Sequence, residues 1–400
     1  MPRSGWVKPA TDRRLSDLVL IGLLTRVFPP DVIDAAIDDV GRREIRNRVL
    51  PARVMVYFAI GMAMYSEGSY EDVFSQLSDG LSWSKGWTES FKPPSKSALF
   101  QARLRLGAEP VRNLFYRVVR PLATPDTPGS WFATRRVMAI DGTCLDIADT
   151  EANETHFGRP PSSRGDRSAF PQARMVALAE CGTHAMVDAV IGPCTTSEVE
   201  LTRELISRLR PGMLVLADRG LYGFNLWEQA TSTGADLLFR VKSTLSPRHE
   251  QTLADGSWIG SIKPTSGAGR GERDPHRVRV IDYTIDGDGQ YRLITTLLDP
   301  LIAPAKELAK LYSERWEIET TFDELKTHQR GAREVLRSKS PELIYQEIWG
   351  HLCCHYAIRV LMADTAIHSG HDPDRISFVA ALRIARHSVA RGDFPPSRNS

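Results

Sequence analysis

LYSERWEIETTFDELKTHQR, residues 311–330, carries Tyr312, Arg315, Glu319 and Lys326 at helical spacing. Between Ala303 and Arg330 there is no Gly and one Pro, Pro304, and the composition is rich in Leu, Glu, Lys and Ala, which predicts one long helix. At about 3.6 residues per turn, Tyr312 and Lys326 lie a heptad either side of Glu319 and Arg315 lies one turn before it. The four share a narrow stripe. Glu314, Glu317 and Glu324 point away from Glu319, whereas Asp323, one turn on, stays near it. One carboxylate flanked by two cations and a phenol suits a site that holds a metal ion beside a phosphodiester. A solvated helix laced with ion pairs satisfies the same letters.

These residues reproduce the pattern Y-x(2)-R-x(3)-E-x(6)-K, and the stretch resembles the signature of the insertion sequence four family of bacterial DDE transposases. Residues 50–77, LPARVMVYFAIGMAMYSEGSYEDVFSQL, are similar to the N-terminal region of the same family, and D-G-T at Asp141 is a family-like context. The resemblance implies a β-rich insertion between the second acid and the final Glu. It also implies release of a DNA element through a hairpin and, at the site, an aromatic wedge for a flipped base.

Working back along the chain, apolar residues 236–241 form a strand pattern that delivers Arg240 and Lys242 in F-R-V-K, placed to line a cleft. Residues 213–217 form another, ending in Asp218, Arg219, Gly220. Residues 137–140 form a short buried-strand pattern that delivers Asp141. Strands over 173–180 and 184–191 flank a hairpin signal at Gly182 and Thr183. Helices are expected over 198–209 and 224–233. Three strands, helix, strand, helix, strand is the order of a ribonuclease-H-like mixed α/β sheet with carboxylates at strand ends. Residues 243–290 read as the β insertion, followed by a strand over 292–298.

Further out the pattern is helical: 14–28, 32–48, 51–64, 70–77 and 96–105 before a Pro/Thr/Gly-rich linker at 121–130, then 341–363 and 375–391 at the other end. Ser95 is a candidate cap. The domains follow: 1–125, a helical DNA-binding region carrying Arg42, Arg43, Arg46, Arg48, Lys96, Arg103 and Arg105; 131–335, the catalytic core; 336–400, a helical C-terminal region.

With 51 basic against 49 acidic residues, net charge supplies no attraction for DNA, so a nucleic-acid surface must come from local segregation of charge. Arg330, Arg333, Arg337 and Lys339, and Arg383, Arg386 and Arg391, suit either backbone contacts or a solvated face. Five cysteines without C-x-x-C spacing give no disulfide framework and suggest a cytoplasmic setting. Residues 54–65, the longest apolar run, are too short to span a bilayer. His351 and His355, with Cys353 and Cys354 between them, have zinc-compatible spacing, but the apolar helix around them favours core packing.

Phosphodiester chemistry needs an activated oxygen nucleophile and a stabilised leaving oxygen, which two divalent cations about 3.5–4 Å apart supply. Mg²⁺ or Mn²⁺ wants carboxylate oxygens, and Asp141, Asp218 and Glu319 would provide them from two strands and a helix. Asp146 and Asp149 rival Asp141, Asp188 rivals Asp218, and Asp323 rivals Glu319. By the resemblance, Tyr312, Arg315 and Lys326 hold phosphates of the strand end. Trp258 is the large aromatic available in the insertion, but nothing local fixes its role and core or surface packing is the favoured reading. The reading is a transposase that cuts its element's ends and joins them to target DNA as a homodimer on DNA. A nuclease of the same fold that does not join, and a non-catalytic DNA-binding descendant, are the rivals.

Overall fold

The computed structural model describes residues 22–44, 50–79, 94–161, 167–264, 274–285, 289–331 and 335–391. Part of the first expected helix, Arg46, Arg48, Arg333 and the last nine residues lie outside these. The chain divides into two compact units: the described parts of residues 1–120, 145–172 and 323–400, and residues 121–144 with 173–322.

The first unit is helical. Helices α1 (Gly22–Val27), α2 (Pro30–Asp39), α3 (Ala52–Met64), α4 (Tyr70–Asp79), α5 (Lys96–Leu106) and α6 (Glu109–Val118) come from the N-terminal part, and α7 (Glu151–Phe157), α12 (Pro341–Ser369) and α13 (Phe378–Arg391) from further on. α3 is apolar nearly all round because it is the centre of the unit, buried at twelve of its thirteen positions. α12 crosses it so closely that a Cβ at Gly350 would stand 2.5 Å from the Ala59 carbonyl oxygen. α2 is shorter than the 32–48 expected, ending at Asp39 before Gly41 at φ +64°. Ser95 caps α5 by accepting the Ala98 N–H, as its position predicts. Arg103, counted among the cations of the expected DNA-binding region, is instead fully buried, donating to Gln346 at 2.8 Å and Ser338 at 3.1 Å. Arg330 is buried as well.

The second unit is built on a ten-stranded mixed sheet, in the order β4-β3-β2-β5-β6-β10-β9-β8-β7, with β1 (Trp131–Phe132) paired to β2. The strands are β2 (Arg135–Asp146), β3 (Gln172–Glu180), β4 (Met186–Pro193), β5 (Met213–Ala217), β6 (Asp236–Val241), β7 (Arg248–Thr252), β8 (Trp258–Ile262), β9 (His276–Ile285) and β10 (Gly289–Thr295). β2, β5 and β6 are parallel neighbours, and β3–β4, β6–β10, β10–β9, β9–β8 and β8–β7 are antiparallel. Two helices, α8 (Glu198–Ile206) and α9 (Phe224–Thr231), supply Leu201, Leu205, Leu226 and Trp227 to the core against Ile140, Val215 and Phe239. This is the ribonuclease-H-like mixed α/β fold read from the sequence. The β insertion extends that same sheet through β9, β8 and β7, and the strand expected at 292–298 is displaced to β10.

Two expectations need correction. Asp141 does not end its strand, because β2 continues to Asp146. What ends there is the parallel pairing: Ile140–Ala217 is the last pair of β2 with β5, so Asp141 and Asp218 leave the register side by side. Nor is 303–330 a uniform helix. It runs as α10 (Ala305–Leu311), a 3₁₀ turn over Tyr312–Arg315, α11 (Trp316–Asp323) and a π turn over Glu324–Gln329. The tightened turn draws its side chains round and the widened one shifts those after it, so the ideal stripe is redrawn at both ends. Among the described residues, no helix is long and apolar enough to cross a membrane.

Candidate active site

Asp141, Asp218, Glu319, Tyr312, Arg315 and Arg240 all fall in the second unit, and its elements bring their side chains together. Arg315 is the link. Its Nη1 donates to Asp141 at 3.0 Å and its Nη2 to Glu319 at 2.9 Å, so the first and third acids of the sequence, 178 residues apart, share one guanidinium. Only 6% of that side chain is exposed, against 20% of Asp141 and 43% of Glu319. Arg240, on β6, approaches Asp218 at 4.0 Å and lies over the Tyr291 ring at 4.2 Å. Lys242 follows the strand and is exposed.

The helix that carries Glu319 is fixed at two places. The Tyr312 hydroxyl donates to the Ala217 carbonyl at 3.3 Å, one residue before Asp218. On its other side Glu317 accepts the N–H of Gly182 at the β3–β4 turn. That turn demands glycine: Gly182 has φ +80°, and a Cβ there would meet the Pro128 carbonyl. Further upstream, Asp255 of the insertion accepts the N–H of Ala305 at the start of α10, and fully buried Arg279 ties Asp255 to the Ala303 carbonyl. The insertion thus sets where the site helix begins.

Electrostatically the site is short of positive charge. Burial pushes the Asp141 carboxyl above its ordinary range; the Gly142 N–H and Arg315 pull it down, and Glu319 and Asp218 push it further up. Asp218 Oδ1 is buried and without a hydrogen-bond partner among the described residues. A buried carboxylate oxygen that has no hydrogen bond and only the distant Arg240 guanidinium at 4.0 Å, set among mutually repelling acids, leaves room for a cation, and all the donors are hard oxygens of the kind Mg²⁺ or Mn²⁺ takes. The residues present therefore fit a divalent ion.

The rival acids are accounted for. Asp146 accepts from Gln172 at 2.8 Å, Asp149 pairs with Arg159, Asp188 with Arg208, and exposed Asp323 accepts the Thr327 hydroxyl at 2.6 Å. Trp258 packs on the insertion, donating to Asp282 at 3.3 Å. His351 and His355 are buried, hydrogen-bonded to Gln329 and Glu324. They are core residues, as their helix suggested. Lys326 lies on the π turn, in the other unit.

Two residues escaped the sequence reading. Trp316 is 59% exposed beside the Arg315 guanidinium, 5.1 Å from its ring centroid. Its place at the start of α11, three residues before Glu319, was the available signal. Glu198, the first residue of α8, reaches Gly142. Ser197 and Glu200 around it form a capping pattern that hides any other role.

Fold and site together define a DDE transposase, and the description "Transposase DDE domain" matches residues 132–357. "Insertion element 4 transposase N-terminal" matches residues 18–116. The chain belongs to the insertion sequence 4 family of DNA transposases. It is 30% identical over 355 residues to transposase InsG for insertion sequence element IS4 of Escherichia coli K12, covering 87% of this chain and 78% of that one. A putative transposase InsZ of the same organism is 28% identical over 33% of this chain and 44% of its own. A piggyBac transposase in a synaptic complex with hairpin DNA aligns over 95% of this chain and 83% of its own, at 11% identity and a TM-score of 0.49.

Proposed function

We propose that this transposase hydrolyses the phosphodiester bonds at its element's ends and joins the freed 3′ ends to target DNA, with Asp141, Asp218 and Glu319 holding two divalent cations, Mg²⁺ or Mn²⁺. The observation that carries the reading is the convergence of Asp141 and Glu319 on Arg315, with Asp218 beside them and its buried Oδ1 without a hydrogen bond among the described residues. When bound, the cations supply Lewis acidity to the attacking and leaving oxygens of an in-line displacement.

The chain's own groups prepare that site. The Gly142 N–H, 2.9 Å from Asp141 Oδ1, keeps that carboxylate oriented. Tyr312 holds the end of β5, and with it Asp218, through the Ala217 carbonyl. It can meet a strand-end phosphate only by leaving that carbonyl. Arg315 serves as counter-ion while the site is free of cations, and its Nε, buried without a partner, is a donor kept for a phosphate oxygen. Arg240 and Lys242 line the approach as backbone contacts, and Lys326 supplies a further point charge to the strand end. Trp316 offers an exposed aromatic face to a base displaced there. Residues 1–125 are assigned to recognition of the ends, 131–335 to the chemistry and 336–400 to a helical C-terminal region. Two copies pair the two ends as a homodimer on DNA in the cytoplasm.

The test is incubation with Mg²⁺ and DNA carrying the inverted repeats that flank the gene. Nicked ends and strand-joined products are expected, and Asp218→Asn or Glu319→Ala should lower both by about a thousandfold or more while end binding persists. Cleavage without joining would instead make it a nuclease, and full activity in either variant would reject the site. Light scattering on the end complex should return two chains per pair of ends.

A further inference from the structure

We propose that Glu198 is a fourth carboxylate of the cation site, presented beside Asp141 across Gly142. The inference rests on the reading that Asp141, Asp218 and Glu319 hold divalent ions, and it adds a ligand that the Tyr-Arg-Glu-Lys pattern does not contain.

Gly142 is the first observation. A Cβ at that position would lie 2.5 Å from both Cδ and Oε1 of Glu198, so the residue after Asp141 is a glycine where the Glu198 carboxylate occupies the space of a side chain. The two carboxylates also face the same donor. The Gly142 N–H donates to Asp141 at 2.9 Å, and the Glu198 carboxylate lies against the same glycine. Two anions flanking one amide leave most of their oxygen lone pairs without a proton to accept.

The surroundings of Glu198 agree. Its carboxyl is held above the ordinary range, first by burial and then by repulsion from Asp141 and, more weakly, Asp218, with Arg174 and the Gly142 N–H in opposition. An acid placed only to complement a helix N-terminus has no need of such company. Glu200, exposed in the same first turn, serves that purpose without it. α8 is anchored by Ser197, whose hydroxyl accepts the Glu200 N–H, and by Leu201 and Leu205 in the core. Glu198 is therefore delivered from a rigid element, from a strand–helix junction distinct from those carrying the other three acids. Divalent cations of this kind take about six oxygen ligands, and a fourth carboxylate would supply one directly or through a water.

The experiment is Mn²⁺ titration of the full chain without DNA, following free Mn²⁺ by electron paramagnetic resonance. Glu198→Gln should bind Mn²⁺ at least about tenfold more weakly, as should Glu198→Asp, which keeps the helix-terminal charge but shortens its reach. Gly142→Ala should do the same by displacing the carboxylate. Without metal, the melting temperatures of the Gln and Asp variants should match or exceed the parent's. If Asp218→Asn loses Mn²⁺ affinity while both Glu198 variants bind like the parent, Glu198 is a helix-terminal acid and the inference is overturned. If Asp218→Asn also binds like the parent, the cation reading itself fails and this inference falls with it.

Discussion

Arg315 stands where a cation would be welcome, between Asp141 and Glu319, so its removal has two separable effects. Arg315→Ala leaves two partly buried carboxylates without their shared counter-ion. Its melting temperature should fall in chelator and recover on adding Mg²⁺; a variant indifferent to Mg²⁺ would show that these acids bind no ion. On pre-cut strand ends the same change should weaken a gel shift about tenfold or more. Arg315→Lys should not restore it, since an ammonium cannot reproduce the fork. His351 makes a prediction about acid. Buried against Gln329, with Glu347 holding its pKa up and Arg330 and Arg337 pressing it down, it is kept neutral to about pH 3, chiefly by burial. In the unfolded chain it titrates near 6.5. Between those values the unfolded state binds a proton that the folded state refuses. Stability from this group is therefore complete above about pH 6.5 and declines by roughly 1.4 kcal/mol per unit as the pH falls toward 3. Urea midpoints measured from pH 6 to 4 should slope less steeply in His351→Leu than in the parent. Equal slopes would remove His351 as the cause.

At the scale of elements, much was legible where periodicity and punctuation agree. The strands at 213–217 and 236–241 coincide with β5 and β6, and Ser95 and Pro341 start their helices, because short apolar runs and capping residues act locally. What sequence could not show depends on distant partners. Asp141 read as a strand end because its apolar run stops there, yet β2 continues to Asp146, whose carbonyl accepts the Leu336 N–H at 2.9 Å. The 303–330 helix read as uniform because no residue after Pro304 breaks helices; its π turn is associated with a charge cluster from another helix. Glu324, at the start of that turn, accepts from both His355 and Arg359 of α12, all three buried. Such a pair is costly to break from one side. Glu324→Ala should lose about 3–5 kcal/mol in urea denaturation. Adding Arg359→Leu should recover part of that loss, because the apolar replacement removes the stranded charge. A loss below about 1 kcal/mol would mean the cluster does not hold the turn.

Over the whole molecule, 51 basic and 49 acidic residues cancel to a net charge of +2, so long-range attraction to DNA is weak. Many of the cations are already engaged within the fold: Arg103 and Arg279 are fully buried, and Arg43, Arg53 and Arg117 pair with Asp38, Asp34 and Asp39. A transposase with this balance must bind its ends through a limited set of phosphate contacts, and their number can be counted. The logarithm of the binding constant should fall linearly with that of salt, each phosphate contact contributing about 0.9 to the slope. Exposed Lys242, if it meets the backbone, carries a whole contact, so Lys242→Ala should reduce the slope by about 0.9. Arg240 is already close to Asp218 and stacked on Tyr291, so its truncation should change the slope by less while impairing cleavage more. Binding isotherms on the element's ends across a salt series separate the two. An unchanged slope in Lys242→Ala would remove that residue from the interface, and an Arg240→Ala slope change as large as the lysine's would show that Arg240 acts as a phosphate contact and not as a neighbour of Asp218.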